Sequence, residues 1–207
     1  MAPTKARPTL VIIAGPNGAG KSTLYDLRIA PKISAPFINA DQIQKTELKD
    51  TRLKTAYEAA RIADERRRLL LSEGKSFVTE SVFSHPSKLD LIKDARAAGF
   101  RVMIFHIGVD SPDLSVARVE ERVTEGGHDV PEQKIRERYA RNGGLIRQAV
   151  ILADLAHVFD NSRLNMAPER MLSFSAGDLT FAAARIPNWI LELYAAELHL
   201  DQNTRRE

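Results

Sequence analysis

Gly15-Pro16-Asn17-Gly18-Ala19-Gly20-Lys21-Ser22, with Thr23 behind it, fits the pattern G-x-x-x-x-G-K-S/T at every fixed position. Glycines permit backbone torsions that side chains discourage, so successive N–H groups can close around phosphate oxygens. A helix opening near Lys21 would aim the positive end of its dipole at the same oxygens. In this pattern the lysine reaches the β- and γ-phosphates of a nucleoside triphosphate, and the hydroxyl, here that of Ser22, ligates Mg²⁺. Gly15, Pro16, Asn17, Gly18, Ala19, Gly20, Lys21, Ser22 and Thr23 are therefore the expected site for ATP and Mg²⁺. The loop leaves open what receives the phosphoryl group, because motors, pumps and kinases share it.

Transfer to a hydroxyl needs a carboxylate to take the proton and cations to neutralise the moving phosphate. Two carboxylates sit at the ends of strand-like runs: Asp41 in "FINADQI" and Glu80 in "SFVTESVF". Ligands of open α/β sheets lie beyond the C-terminal strand ends, the edge that also carries the phosphate loop. Asp41 is then either the general base or the N-cap of a helix beginning at Gln42, since Asp is a favoured cap. Glu80 either contacts substrate hydroxyls or a hydrated Mg²⁺, or it pairs with a nearby Lys or Arg. An acid closing a buried strand needs one of these.

The cations come from "SVARVEERVTEGGHDVPEQKIRERYARNGG", residues 115–144. Arg118 and Arg122 lie four apart and share a helix face, with Glu121 and Glu125 within i+3 reach. Taken alone that is a solvated charged face. Gly126-Gly127 then breaks the helix, His128 follows, and a second helix opens at Pro131 with Lys134, Arg138 and Arg141 along one side. Two basic helix faces joined by a Gly-Gly hinge predict a lid that closes on phosphate.

The elements that must position these groups are legible as alternating strand and helix patterns. Candidate strands cover 10–14, 36–39, 77–80, 101–107 and 157–160, and the alternation predicts an α/β fold with a parallel sheet. A helical stripe through Leu53, Ala56, Tyr57, Ala60, Leu70 and Leu71 stops at Gly74, a C-cap candidate. Ser111 can cap a helix whose first turn takes Pro112. Further on, "RMLSFSAGDLTF" reads as a hairpin and "IPNWILELYAAELHL" as an apolar-periodic helix. The whole of 1–207 reads as one domain, with a lid at about 111–144 and a C-terminal extension at about 163–207.

Composition is globular, 43% hydrophobic and 28% charged. The net charge of +3 suits an anionic substrate without pointing to nucleic acid. There is no cysteine, which excludes disulfides, thiol catalysis and thiolate metal sites. No run approaches the roughly 18 apolar residues of a membrane span, and a soluble cytoplasmic protein is expected.

With these segments in order, the chain resembles the zeta toxin family of P-loop kinases, within it the branch often labelled predicted ABC-type ATPases. The resemblance runs from "LVIIAGPNGAGKST" through "FINADQI", "FVTESVFSHPSKLDLIKDARAAGFRVMIFHIGV" and "RVEERVTEGGHDVPEQKIRERYARN" to "VFDNS" and "GDLTFAAARIPNW". It implies a three-layer P-loop kinase fold with a parallel, roughly five-stranded sheet and a helical lid. It also implies phosphoryl transfer from ATP to a hydroxyl, which in characterised zeta toxins belongs to UDP-N-acetylglucosamine. Residue by residue, the general base falls on Asp41, the loop lysine on Lys21, the substrate-binding acid on Glu80 and the first lid arginine on Arg122. Matching on "VP" puts His128 at the second lid arginine, with Arg138 or Arg141 as substitutes. A neutral imidazole stabilises transferred charge less than a guanidinium. Some members work with an antitoxin protein, which makes an antitoxin a candidate partner.

The expectation is thus an ATP- and Mg²⁺-dependent kinase acting on a small hydroxyl-bearing metabolite such as UDP-N-acetylglucosamine. The alternative is a nucleotide-dependent NTPase or binding module for nucleic acid, tracking along the basic lid and the "DERRRLLL" helix. Against it, aromatic residues are 6% of the chain and only Tyr139 interleaves the basic clusters.

Overall fold

The structure is a computed structural model that describes residues 7–49, 53–125 and 129–204. Strand β1 (Thr9–Ala14) is apolar after Thr9, and every residue after the first is buried. Successive strand side chains point to opposite faces. Accordingly Leu10, Ile12 and Ala14 join one core cluster, and Val11 and Ile13 join another. A strand covered on both faces needs an unbroken apolar run, which is why this one is so plain in the sequence.

The other strands are β2 (Phe37–Ile38), β3 (Phe77–Ser81), β4 (Arg101–Gly108), β5 (Leu155–Asp160), β6 (Glu169–Ser175) and β7 (Asp178–Ala182). They form one sheet in the order β2-β3-β1-β4-β5-β6-β7. The first five strands in that order pair in parallel, as expected. The count is corrected from about five to seven, because β6 and β7 add an antiparallel hairpin beside β5. Met171, Leu172 and Phe174 give β6 a buried face, and the chain reverses through Ala176 and Gly177, both at positive φ (51° and 90°). Two residues of that hand are what a two-residue hairpin turn requires.

Helix α1 (Lys21–Leu24) runs on as a π-helical turn, Tyr25–Ile29, and α2 (Ala40–Ile43) as another, Gln44–Leu48. Then come α3 (Leu53–Ser72), α4 (Lys88–Ala97), α5 (Pro112–Thr124), α6 (Glu132–Leu152), α7 (Asn188–Leu193) and α8 (Ala195–Thr204). The step from β1 to β2 runs one way across the sheet, and the steps β2 to β3, β3 to β4 and β4 to β5 run the other way. Because such crossovers are right-handed, one face receives α1 and the opposite face receives α3, α4 and α6. The clusters agree: Leu24 and Ile29 pack on Val11 and Ile13, while Ala63, Ile92 and Ile146 pack on Leu10 and Ile12.

Ser111 caps α5 as expected, its hydroxyl accepting from the Leu114 N–H at 3.2 Å. Helix α6 does not stop at Asn142-Gly143-Gly144. It continues to Leu152 because Ile146, Ala149 and Val150 are buried on the sheet. The C-terminal helix is likewise two helices broken at Tyr194, whose ring is wholly buried against Phe174 and His106. Among the described residues no helix is long and apolar enough to cross a membrane.

Tyr194 and His106 create a pH-dependent element of stability. The Tyr194 hydroxyl lies 2.8 Å from His106 Nδ1, and burial pushes that imidazole down to about 3 from 6.5. Between those values the unfolded chain binds a proton that the folded chain refuses. Stability is therefore lost as pH falls below the unfolded value, at about 1.4 kcal/mol per pH unit. Urea unfolding between about pH 6 and pH 4 should show this slope in the wild type, and His106→Gln should flatten it by about one proton's worth.

Candidate active site

The phosphate loop links β1 to α1 at the C-terminal edge of the sheet, where the outgoing connections of β1 and β4 diverge. Such a divergence opens a crevice. Gly20 precedes α1 at φ 88°, and a Cβ there would lie 2.5 Å from Asn161 Nδ2. The position excludes a side chain on both counts.

Lys21 is 7% exposed, and its Nζ donates to the Pro16 carbonyl at 3.0 Å. Burial lowers its pKa; Glu80 and then Asp41 oppose that shift, and Arg122 adds to it. Glu80 stands 3.7 Å from Nζ. Its Oε2 accepts from the Ser22 hydroxyl at 3.1 Å and from Asn39 Nδ2 at 3.0 Å. So the acid that closes β3 does pair with the loop lysine, while remaining on the cleft wall. The Ser22 hydroxyl and the Glu80 carboxylate offer oxygen donors side by side, the hard set that Mg²⁺ takes alongside phosphate and water.

Asp41 is not the helix cap. Asn39 is, its Oδ1 accepting from the N–H groups of Asp41 (2.8 Å) and Gln42 (3.2 Å). Asn caps a helix as well as Asp does, so a cap signal was present two residues earlier. The consequence is chemical: the Asp41 carboxylate sits exposed in the first turn of α2, on the same cleft as Lys21.

The lid helices α5 and α6 pack on each other through their own small core of Val116, Val119, Val130 and Ile135. From α5, Arg122 lines the cleft near Lys21. Arg118 instead reaches the Arg163 carbonyl at 3.5 Å and lays its Cβ against Gly18. Its Nη1 and the Ser115 hydroxyl are buried without a hydrogen-bond partner among the described residues, beside a loop whose pattern binds anions. From α6, Arg138 reaches Asn17 Oδ1 at 3.5 Å and Lys134 lines the same cleft. Arg141 turns away to Glu137 and is 61% exposed. His128 and the Gly126-Gly127 hinge lie outside the described residues.

The remaining wall of this cleft, about 370 Å³ in volume, comes from α3 and the segment after β3. Arg67, held by Asp64 and by Thr79 Oγ1, faces it together with Lys88, His85 and the exposed ring of Tyr57. Phe83 is buried there at φ 59°. Non-glycine residues in that region cost about 1–3 kcal/mol and cluster at functional sites.

One support comes from beyond the expected site. Asn161 Nδ2 donates to the Ala19 carbonyl of the phosphate loop at 2.9 Å, and its own N–H donates to Gly108. The preceding Asp160 accepts from the Ser162 hydroxyl at 2.6 Å and from Trp189 Nε1 at 2.9 Å. Trp189 fits because residue 108 is glycine: a Cβ would meet the indole at 2.5 Å. Helix α7 thus braces the loop through Trp189, Asp160 and Asn161. Periodicity shows Trp189 only as an apolar helix position, so nothing local announced this.

Residues 1–165 match the zeta toxin family. A protein of Haemophilus influenzae described as uncharacterized is 29% identical over 130 residues, which are 62% of this chain and 91% of that protein. Among solved structures, a chain of the AvrRxo1-ORF1:AvrRxo1-ORF2 complex superposes with a TM-score of 0.67 at 19% identity. The match covers 92% of this chain and 63% of that one, so the present chain spans less than two thirds of its length. The PezAT toxin-antitoxin structure of Streptococcus pneumoniae gives a TM-score of 0.61 at 15% identity, covering 98% of this chain and 86% of that chain. At these identities the likeness is one of fold.

Asn161→Ala removes the brace on the Ala19 carbonyl and one hydrogen bond worth about 1 kcal/mol. Titration with a fluorescent ATP analogue should show binding weakened several-fold, while the melting temperature drops by only about 2–4 °C.

Proposed function

The chain belongs to the zeta toxin family, and from that premise we propose that it transfers the γ-phosphoryl group of ATP to a hydroxyl of a small metabolite. A nucleotide sugar such as UDP-N-acetylglucosamine is the leading acceptor. The observation that carries the reading is the freed Asp41 carboxylate, which shares a cleft with the loop lysine because Asn39 has taken over the cap. A carboxylate there can accept the hydroxyl proton as the acceptor oxygen bonds to the γ-phosphorus and the bond to the ADP oxygen breaks.

Lys21 and the loop N–H groups hold the β- and γ-phosphates. Arg122 and Arg138 approach from the lid and offset the charge spread over the transferring oxygens. Between the two arginines of α6, Arg141 is turned to Glu137 while Arg138 lines the cleft, which supports Arg138 as the second lid cation. Mg²⁺, held by Ser22 and through water by Glu80, would supply further neutralisation of the phosphate oxygens. Glu80 would in addition contact acceptor hydroxyls where it faces the cleft. Residues 1–207 act as one kinase domain, in which α5 and α6 form the lid and α7 braces the loop.

Two relatives support the donor and a protein partner. The AvrRxo1-ORF1:-ORF2 complex has also been solved with ATP, and PezAT is a toxin-antitoxin system. By analogy, ATP is the donor here and an antitoxin-type protein is a candidate partner.

Incubation with ATP and UDP-N-acetylglucosamine should yield a singly phosphorylated sugar nucleotide by mass spectrometry. Asp41→Asn should lower that turnover by about 10²–10⁴-fold, the range for losing a general base, without weakening ATP binding. ATP turnover that needs no hydroxyl acceptor and ignores Asp41→Asn would overturn the reading.

A further inference from the structure

The crossover rule that fills one face of the sheet leaves part of the other bare. Among the described residues, the face carrying Val11 and Ile13 is covered by the α1 segment and the loop behind it, with Leu114 of α5 and Tyr139 of α6 joining the same cluster, while the segment after β5 adds β6 and β7 and then returns through α7 to the face already covered. Over β4 and β5 the part of this face left uncovered by the described residues presents the half-buried Met103, Phe105 and His157, which with the edge of the buried Phe159 floor a groove of about 880 Å³. The Phe105 and Phe159 rings lie stacked with centroids 6.2 Å apart, so the floor is a continuous aromatic surface. Sheets of this parallel type are normally covered by helices on both faces.

The rims of the groove are cationic. Arg28 and Lys32, from the turn after α1 and the loop behind it, stand on one side, and Arg170 of β6 stands on the other. No carboxylate is among the residues that line it. Arg28 and Lys32 are exposed and have no hydrogen bond or ion pair among the described residues; Arg170 lies over the Phe181 ring at 4.6 Å. Most of the protein's other arginines are paired with acids or carbonyls, for example Arg61, Arg66, Arg136 and Arg147.

We infer that this groove docks an amphipathic helix of a partner protein, with apolar residues against Met103, Phe105 and Phe159 and acidic residues along both flanks. Its width suits that occupant. From β1 to β6 there are three interstrand steps, about 14 Å in all at about 4.8 Å each, against about 10–12 Å for a helix with its side chains. Rim cations on two sides fit carboxylates on both flanks of a helix better than the single anionic group of a small ligand. The complement cannot come from a like-charged surface, so a second copy of this chain, at net charge +3, is disfavoured. The Thr9 end of the groove is remote from the phosphate loop, and Phe159, beside Asp160, is its end nearer the loop. Its floor begins at Thr9, and β1 rises about 17 Å from there to Ala14 at about 3.3 Å per residue.

The probe is a synthetic amphipathic helical peptide with leucines on one face and glutamates on both flanks, set against the same peptide with lysine flanks. Fluorescence anisotropy should show binding of the glutamate peptide, weaker at high salt, and none of the lysine peptide. Arg28→Glu with Lys32→Glu should weaken it at least about tenfold, and Arg170→Glu should act in the same direction. All three residues are exposed, so ATP turnover should stay at the wild-type level and report an intact fold. A photoreactive group on the apolar face should label Met103. The inference is overturned if the two peptides bind alike, if the charge reversals change nothing, or if the label falls elsewhere. Displacement by pyrophosphate alone would make the groove an anion site, and a concentration-dependent dimer that hides Met103 would make it a self-contact; either result also overturns it.

Discussion

A lysine ammonium group taken almost wholly out of water governs the architecture around it. Desolvating a charge costs several kcal/mol unless opposite charges and hydrogen bonds replace the water. For Lys21 the replacements are the Pro16 carbonyl, the Glu80 carboxylate and the field of Asp41. Glu80 closes a strand, Asp41 opens a helix and Lys21 follows a loop, so meeting that electrostatic demand ties β1, β3 and α2 together. Asn39 joins the arrangement twice, donating to Glu80 with its amide and accepting from the Asp41 N–H with its carbonyl. The same compensation that makes the buried lysine tolerable brings the Asp41 carboxylate onto the lysine's cleft.

The loop itself is held from behind. Asn161 fastens the Ala19 carbonyl, and Asp160 is fixed in turn by Ser162 and by Trp189. Trp189 lies past residue 165, where the family match ends. The C-terminal extension therefore does more than protect the sheet edge with a hairpin. It supplies a wedge that only the glycine at 108 can accept, and it carries that constraint to the phosphate loop. Helix α6 has a comparable double role. Its second half is anchored in the core by Ile146, Ala149 and Val150, and its first half extends Lys134 and Arg138 into the cleft.

Chain direction explains the asymmetry of the two sheet faces. Three crossovers stepping the same way must all fall on one face, and the single opposite step gives the other the short α1 segment, joined among the described residues by its following loop and by Leu114 and Tyr139. On that face Met103, Phe105 and His157 are only half-buried, while the cluster on the opposite face is large. An aromatic surface edged by Arg28, Lys32 and Arg170 is what remains among the described residues, and it is there that we infer a second molecule docks.

The phosphate loop, the five parallel strands and the helix starts near Ser111 and Pro131 were legible in the residues alone. Each is a local pattern: a spacing of glycines, an apolar run, a capping hydroxyl. So was the placing of Asp41 and Glu80 on one cleft, since acids at strand ends share an edge in any such sheet. Local pattern could not choose between Asn39 and Asp41 as the cap, because both residue types accept the same N–H bonds. Nor could it separate Arg138 from Arg141, which differ in direction by one turn of a helix whose orientation is set by its buried half. The antiparallel pairing of β6, the break at Tyr194 and the wedge at Trp189 are contacts between residues tens of positions apart. They were decided by register and by burial, which exist only once the sheet has formed.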